Sequence, residues 1–196
     1  QLKGHITSSL FTEGGSRFYD KSALYHSQGE RSFNTSAGQF RIGGNVRIYT
    51  PNSAGTIFSD TSGVVIRNYE GGIYGGWEQF YLDEKLKTSI TARLDKNQNF
   101  QPLLSPAASV VYKANENHTL RFSLSSAIRN PTLADQYLYY NVGRAVLLGN
   151  LNGFDSLVTI DNIVDYLGKP GAERLTHDFG YFDIDAIRPE RVRTAE

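Results

Sequence analysis

The chain has 196 residues with 20 basic and 20 acidic side chains, a formal net charge of zero, which argues against a nucleic-acid partner, since that would demand a basic surface to displace counterions. Cysteine is absent, so neither a disulfide scaffold nor a Cys-ligated zinc site is available. The 19 glycines, 12 tyrosines and 11 phenylalanines, against one tryptophan, favour β structure with aromatic girdles over a helical protein. There is no signal peptide and no apolar run of about 18 residues, so no membrane-crossing helix is predicted, although a membrane barrel contains no such run either. Lacking an initiating Met, opening on Gln1 in mid-pattern and stopping at Glu196 as a new alternating segment begins, residues 1–196 read as a single partial domain, an internal piece of a longer protein.

Residues 1–19, with Gly14-Gly15 and no long alternation, are predicted to be loop with a strand end. A weak strand follows around Lys21 to Arg31, where Ala23, Tyr25 and Ser27 alternate with Leu24 and His26 without a clear apolar face, and the turn Asn34 to Gly38 reverses it. Phe40 to Tyr49 alternates well: Phe40, Ile42, Val46 and Ile48 lie opposite Arg41, Asn45, Arg47 and Tyr49. After a Gly-, Ser- and Asp-rich loop over 51–65, Ile66 to Leu82 runs extended, with Tyr69, Ile73 and Trp77 opposite Glu70, Tyr74 and Glu78. That is long for a soluble strand, which typically has about five or six residues. Asp83-Glu84-Lys85 turns the chain into Leu86 to Asp95, the cleanest alternation in the sequence, with Leu86, Thr88, Ile90, Ala92 and Leu94 on one side. A polar loop over Lys96 to Leu103 precedes a strand from Ser105 to Lys113, and Ala114 to Asn117 turns into His118 to Arg129, where Leu120, Phe122, Leu124 and Ile128 oppose Arg121, Ser123, Ser125 and Ala127.

Short turns after residues 33, 82 and 113 therefore alternate with longer connections after 50, 95 and 130. Residues 131–188 form the longest, too long to be idle in a compact domain. Pro131 stops the preceding strand because it has no donor for the ladder. Within this connection Ser156 is predicted to cap a helix in which Leu157, Ile160, Ile163, Val164 and Leu167 recur at helical spacing, closed by Gly168-Lys169-Pro170. A returning strand is predicted from Arg188.

One apolar and one polar face per strand fits two architectures: a soluble or surface-attached β-sandwich, which would bind carbohydrate, or a membrane barrel with lipid outside and a polar lumen. Alternating short turns and long loops favour the barrel, with the strands starting at Phe40, Leu86 and His118 running outward. Since six or seven strands cannot close a wide barrel, this chain is expected to be one part of its wall.

Several segments in order resemble the TonB-dependent receptors of Gram-negative outer membranes, in particular those with a carboxypeptidase-regulatory-like domain ahead of the plug. They are YTPNSAGTIFSDT (Tyr49–Thr61), LDEKLK (Leu82–Lys87) followed by RLDKN (Arg93–Asn97), LSPAASVVY (Leu104–Tyr112), RNPTLADQY (Arg129–Tyr137) and RPERVRT (Arg188–Thr194), the last similar to the "KPE" segment that opens the following strand. The resemblance covers most of residues 20–196. It implies an all-β, antiparallel up-and-down transmembrane β-barrel segment, the middle of a barrel of about 22 strands with a long, partly helical external loop. It also implies a location in the outer membrane and active import: a ligand such as a siderophore, cobalamin, glycan or peptide binds, and TonB pulls on the plug. The implied partners are outer-membrane lipid, the plug and remaining strands of the same receptor, TonB through the N-terminal part, and the ligand. No catalytic residue, cofactor or metal is implied. Ala107 stands where such receptors often carry Arg after Ser-Pro, which alters one lumen contact.

The candidate ligand-binding residues are Arg129, Asp135, Tyr137, Tyr139, Tyr140 and Arg144, at the mouth of the longest external loop. Packing of the loop on itself is the competing use of those aromatics. Arg41, Arg47, Lys87, Arg93, Arg121 and Arg129 share the expected lumen face, where pairing with Glu70, Glu78 and Asp95 competes with steering of anionic ligands. Asp155, Asp161, Asp165, Asp178, Asp183 and Asp185 lack the spacing and closing Glu of a calcium loop, and His5, His26, His118 and His177 lack metal-ligand spacing. A Ser-His-Asp hydrolase reading has no Gly-x-Ser-x-Gly elbow behind it.

Overall fold

A computed structural model describes residues 3–4, 8–10 and 13–196. The loop predicted over 1–19 therefore lies partly outside the described residues, as does His5; Leu10 and Arg17 form a parallel bridge.

The alternating segments become β1 (Ala23–Thr35), β2 (Gly38–Thr50), β3 (Asn68–Tyr81), β4 (Leu86–Asn97), β5 (Leu103–Asn115) and β6 (His118–Arg129). Each pairs antiparallel with its sequence neighbour. β11 (Glu190–Ala195) returns to pair with β6, giving a seven-stranded sheet in the order β1-β2-β3-β4-β5-β6-β11. The longest of these strands has 14 residues and the shortest full-length one 12, beyond the roughly 9–11 that a membrane strand requires. β1, β2, β4 and β5 run past their predicted ends, β1 to Thr35 and β4 to Asn97, because ladder pairing continues through polar residues, whereas β6 ends at Arg129 as predicted and β3 stops at Tyr81, one residue short. Ile66 and Arg67, by contrast, belong to the loop before β3.

Register places the predicted faces together. Phe33, Phe40 and Trp77 lie side by side across β1, β2 and β3, and Ile73, Leu94 and Leu104 do so across β3, β4 and β5. This apolar face is uncovered: Ile73 is 65% and Leu120 66% exposed, which a soluble sandwich would not allow. The face is bordered by aromatics, with Phe33, Phe40 and Trp77 toward the short turns and Tyr25 and Tyr69 toward the loops. From Trp77 to Tyr69 the strand rises roughly 27 Å, about the height of a lipid-facing band with its aromatic girdles. The Trp77 indole N–H donates to the Ala37 carbonyl at 2.8 Å, tying the girdle to the β1–β2 turn.

On the opposite, polar face, Lys87 pairs with Glu78 across β3 and β4 at 2.9 Å, and Arg41 with Glu30 across β1 and β2 at 3.5 Å. Asp95 pairs within its own strand, with Arg93, and Glu70 is held by Asn97 and Tyr49, so two of the three predicted acidic partners are engaged otherwise than by a cation on the next strand. Glycines make room here. A Cβ on Gly43 would collide with the Tyr74 ring, and one on Gly72 with the Arg93 guanidinium, so both side chains lie flat along the wall. Ala107 faces Thr91 and Ser125 on the neighbouring strands.

The well-buried residues gather at the loop end. Ile66 and Phe100 are the buried apolar side chains among the described residues, beside buried Ser53, Thr56, Asp60, Asn68, Asn97 and Gln136. The connection over 131–188 carries α1 (Leu133–Tyr137), a hairpin of β7 (Tyr139–Asn141) and β8 (Val146–Leu148), and β9 (Phe154–Leu157) paired with β10 (Phe182–Ile184). Between the last two lie α2 (Ile160–Gly168) and α3 (Gly171–Arg174). The α2 cap is Thr159, whose hydroxyl accepts from the Asn162 N–H, and not Ser156. Ser156 sits in β9 with φ of 56°, and Leu157, predicted helical, pairs with Phe182.

Candidate functional site

Pro131 ends the β6 ladder and the chain bends back over the polar face of the sheet. Thr132 caps α1: its hydroxyl accepts from the Asp135 N–H while the Asp135 carboxylate accepts from the Thr132 N–H and hydroxyl, a capping box. The Thr132 hydroxyl and N–H hold the Asp135 carboxyl below its ordinary range. Beyond α1 the chain is stitched to the β2–β3 loop, since the Ser59 N–H donates to the Tyr137 carbonyl and the Tyr139 N–H to the Ile57 carbonyl.

A chain of amides locks α1 to the strand ends. Asn68, Asn97 and Gln136 are 1%, 2% and 4% exposed, so their polar atoms need partners inside the protein. Asn97 Nδ2 donates to Asn68 Oδ1 and Glu70 Oε1, each at 2.8 Å. Asn68 Nδ2 and Asn99 Nδ2 both donate to Gln136 Oε1, at 3.1 and 2.7 Å, and Gln136 Nε2 donates to the Pro131 carbonyl at 2.8 Å. Asn99 also donates to the Tyr137 hydroxyl.

Under this roof is a cavity of about 670 Å³. The sheet supplies Asn45, Arg47, Tyr49, Glu70, Arg93 and Asp95, and Asn130 to Ala134 with Gln136 close it from above. Arg93 is fixed by Asp95 and donates to Asn45 Oδ1 at 2.6 Å, with its guanidinium 5.5 Å from the Tyr74 ring centre. Arg47 makes no ion pair among the described residues. The arrangement presents three cations, with Arg93 committed to Asp95, Lys96 donating to the Phe100 carbonyl and Arg47 without an ion pair among the described residues, together with carboxylates and amides, to a solute of mixed polarity. Among the described residues no three His, Asp or Glu side chains converge as metal ligands.

None of the six candidate residues lines this cavity. Arg129 and Asp135 border a separate cavity of about 220 Å³ beside Arg188 and Glu190, and Arg129 approaches Glu190 at 3.9 Å. Tyr137 serves the amide chain through its hydroxyl, Tyr140 packs on Phe18 at 5.6 Å between ring centres, and Tyr139 and Arg144 are exposed on the β7–β8 hairpin. Sequence reasoning placed Asn45, Arg47 and Arg93 on the correct face but missed Asn68, Asn99 and Gln136; the Asn97-Gln98-Asn99 cluster was the available signal.

An open meander with one apolar, girdled face and one polar, ion-paired face is a stretch of outer-membrane β-barrel wall. The family model described as "TonB dependent receptor-like, beta-barrel" matches residues 4–196, and the chain belongs to that family of outer-membrane transport receptors. No curated protein and no solved structure matches the chain.

Proposed function

We propose that this chain forms part of the wall and outer loops of a receptor that imports one ligand class by TonB-dependent active transport, with the cavity beneath α1 as a ligand contact on the lumen side. The cavity itself carries the reading: an opening of about 670 Å³ lined by Arg47, Arg93, Glu70 and amides sits on the polar face, where the wall meets its largest external loop. Such lining favours a solute rich in hydroxyl or amide groups, so among siderophore, cobalamin, glycan and peptide the last two are preferred. Binding and release need no bond made or broken, so the chain acts as a transporter and not an enzyme. The edges of the open sheet, β1 and β11, pair with further strands of the same receptor, because a bilayer leaves no partner for unpaired backbone groups. TonB acts through a plug domain to supply the energy.

Uptake of labelled glycans, peptides, cobalamin and ferric siderophores by a deletion strain complemented with the complete receptor tests this. Arg47→Ala is expected to weaken half-saturation about tenfold, the loss of one charge-assisted hydrogen bond, at unchanged receptor abundance. Wild-type uptake of every probe by Arg47→Ala and Glu70→Ala receptors would refute the cavity as a ligand contact.

A further inference from the structure

The outward face of the wall contains a parting. β5 and β6 stay paired from their turn only as far as Ala107 with Ser125. Beyond it β4 holds β5 out to Leu103, and β11 holds β6 out to Arg129, so the two strands are drawn apart by their other neighbours. Pro106 stands one residue past the last pair and has no N–H with which to continue the ladder. The parting is a notch of about 670 Å³, walled by Ile90, Leu104, Pro106 and Leu124 and rimmed by Arg191 and Arg193.

The arginines belong to the membrane side. Ala195 pairs with Leu124, Arg193 with Ser126 and Arg191 with Ile128, so by alternation Arg191 and Arg193 share the face of Leu124, opposite Glu190 and Arg129. They stand just after the long external connection, at the outer end of β11. Neither makes an ion pair among the described residues. A guanidinium among acyl chains is unfavourable, whereas at headgroup level it is the natural bidentate partner of a phosphate. An apolar notch alone would accept any acyl chain. Two adjacent guanidinium groups above it select the headgroup.

We infer that this notch binds a phosphorylated glycolipid of the outer leaflet, of the lipid A class, with an acyl chain against Leu104 and Leu124 and a phosphate held between Arg191 and Arg193. Native mass spectrometry of the complete receptor tests it, after incubation with lipid A, enzymatically dephosphorylated lipid A or phosphatidylcholine. Wild-type receptor is expected to retain lipid A in preference to the other two. The double variant Arg191→Gln, Arg193→Gln is expected to lose that retention about tenfold or more, and Arg191→Lys, Arg193→Lys to lose less, because an ammonium cannot form the bidentate contact. Ala108→Phe, which narrows the notch with both arginines present, is expected to weaken retention as well, while membrane abundance and ligand uptake stay at wild-type levels. Undiminished retention in the double glutamine variant, or equal binding of dephosphorylated lipid A, would overturn the proposal.

Discussion

Replacing Asp60 by alanine is expected to release the loop between β2 and β3 at a cost of about 3–5 kcal/mol while leaving the strands in place. The Asp60 carboxylate, buried at 9% exposure, accepts from the Ser53 hydroxyl and from the N–H groups of Ser53, Ala54 and Gly55. The Ser53 hydroxyl oxygen in turn accepts from Ile57 and Phe58. Ala54 and Gly55 both occupy left-handed backbone, at φ of 50° and 74°, a bend held closed by the carboxylate. Limited proteolysis of the receptor should show new cleavage within residues 51–67; protection equal to wild type would contradict this account. Burial pushes the Asp60 carboxyl up, but the Ser53 hydroxyl and the Ser53 and Gly55 N–H groups together hold it below its ordinary 3.8. A depressed folded-state value means that the stabilisation is complete above 3.8 and is lost as pH falls through the lowered value. Wild-type loop cleavage should therefore rise in strong acid, and Asp60→Asn should remove that dependence.

Gln136→Leu is expected to cost about 2–4 kcal/mol, concentrated in α1. The substitution leaves Asn68 Nδ2 and the Pro131 carbonyl without their partners and takes one acceptor from Asn99. The desolvation penalty of groups left unpaired exceeds the modest net worth of the bonds themselves. Tyr137→Phe removes only the hydroxyl accepting from Asn99 and is expected to cost about 1 kcal/mol. Thermal unfolding in detergent, combined with cleavage within 131–137, separates the two. Indistinguishable variants would mean that the amide chain does not anchor the roof of the cavity.

Strands were legible because every residue between the girdles must satisfy one of two solvents, and side chains such as Ile90 against Arg93 report which. Strand ends were not, since ladder pairing continues through Asn97 and Leu103, where polarity carries no information about facing. The helix was legible from its apolar spacing, but its start was misread at Ser156 because two hydroxyl residues compete for the cap, and pairing of Leu157 with Phe182 decides between them. The Thr132-x-x-Asp135 spacing already carried the capping box, which explains Asp135 without a ligand. The cavity was hidden from local patterns because it exists only once residues 130–136 fold back over Asn45, Glu70 and Arg93. No periodicity within either segment encodes that meeting.

The seam between β6 and β11 differs from every other in the sheet in when it can form. The remaining pairs close across turns or loops of modest length, whereas this one must bring Arg129 to Glu190 across the entire 130–189 connection. Chain-closure entropy makes such a join about 3 kcal/mol less favourable than a hairpin turn, before the excursion's own helices and hairpins reduce that difference. Assembly is thus expected to proceed as a zipper from β1 to β6 and then pause until the excursion has organised itself. Pulse-labelled hydrogen exchange during refolding into micelles should find Val192 and Thr194 protected after the amides of β2 to β5. The loop that shapes the mouth of the receptor thereby also sets the tempo at which its wall is completed.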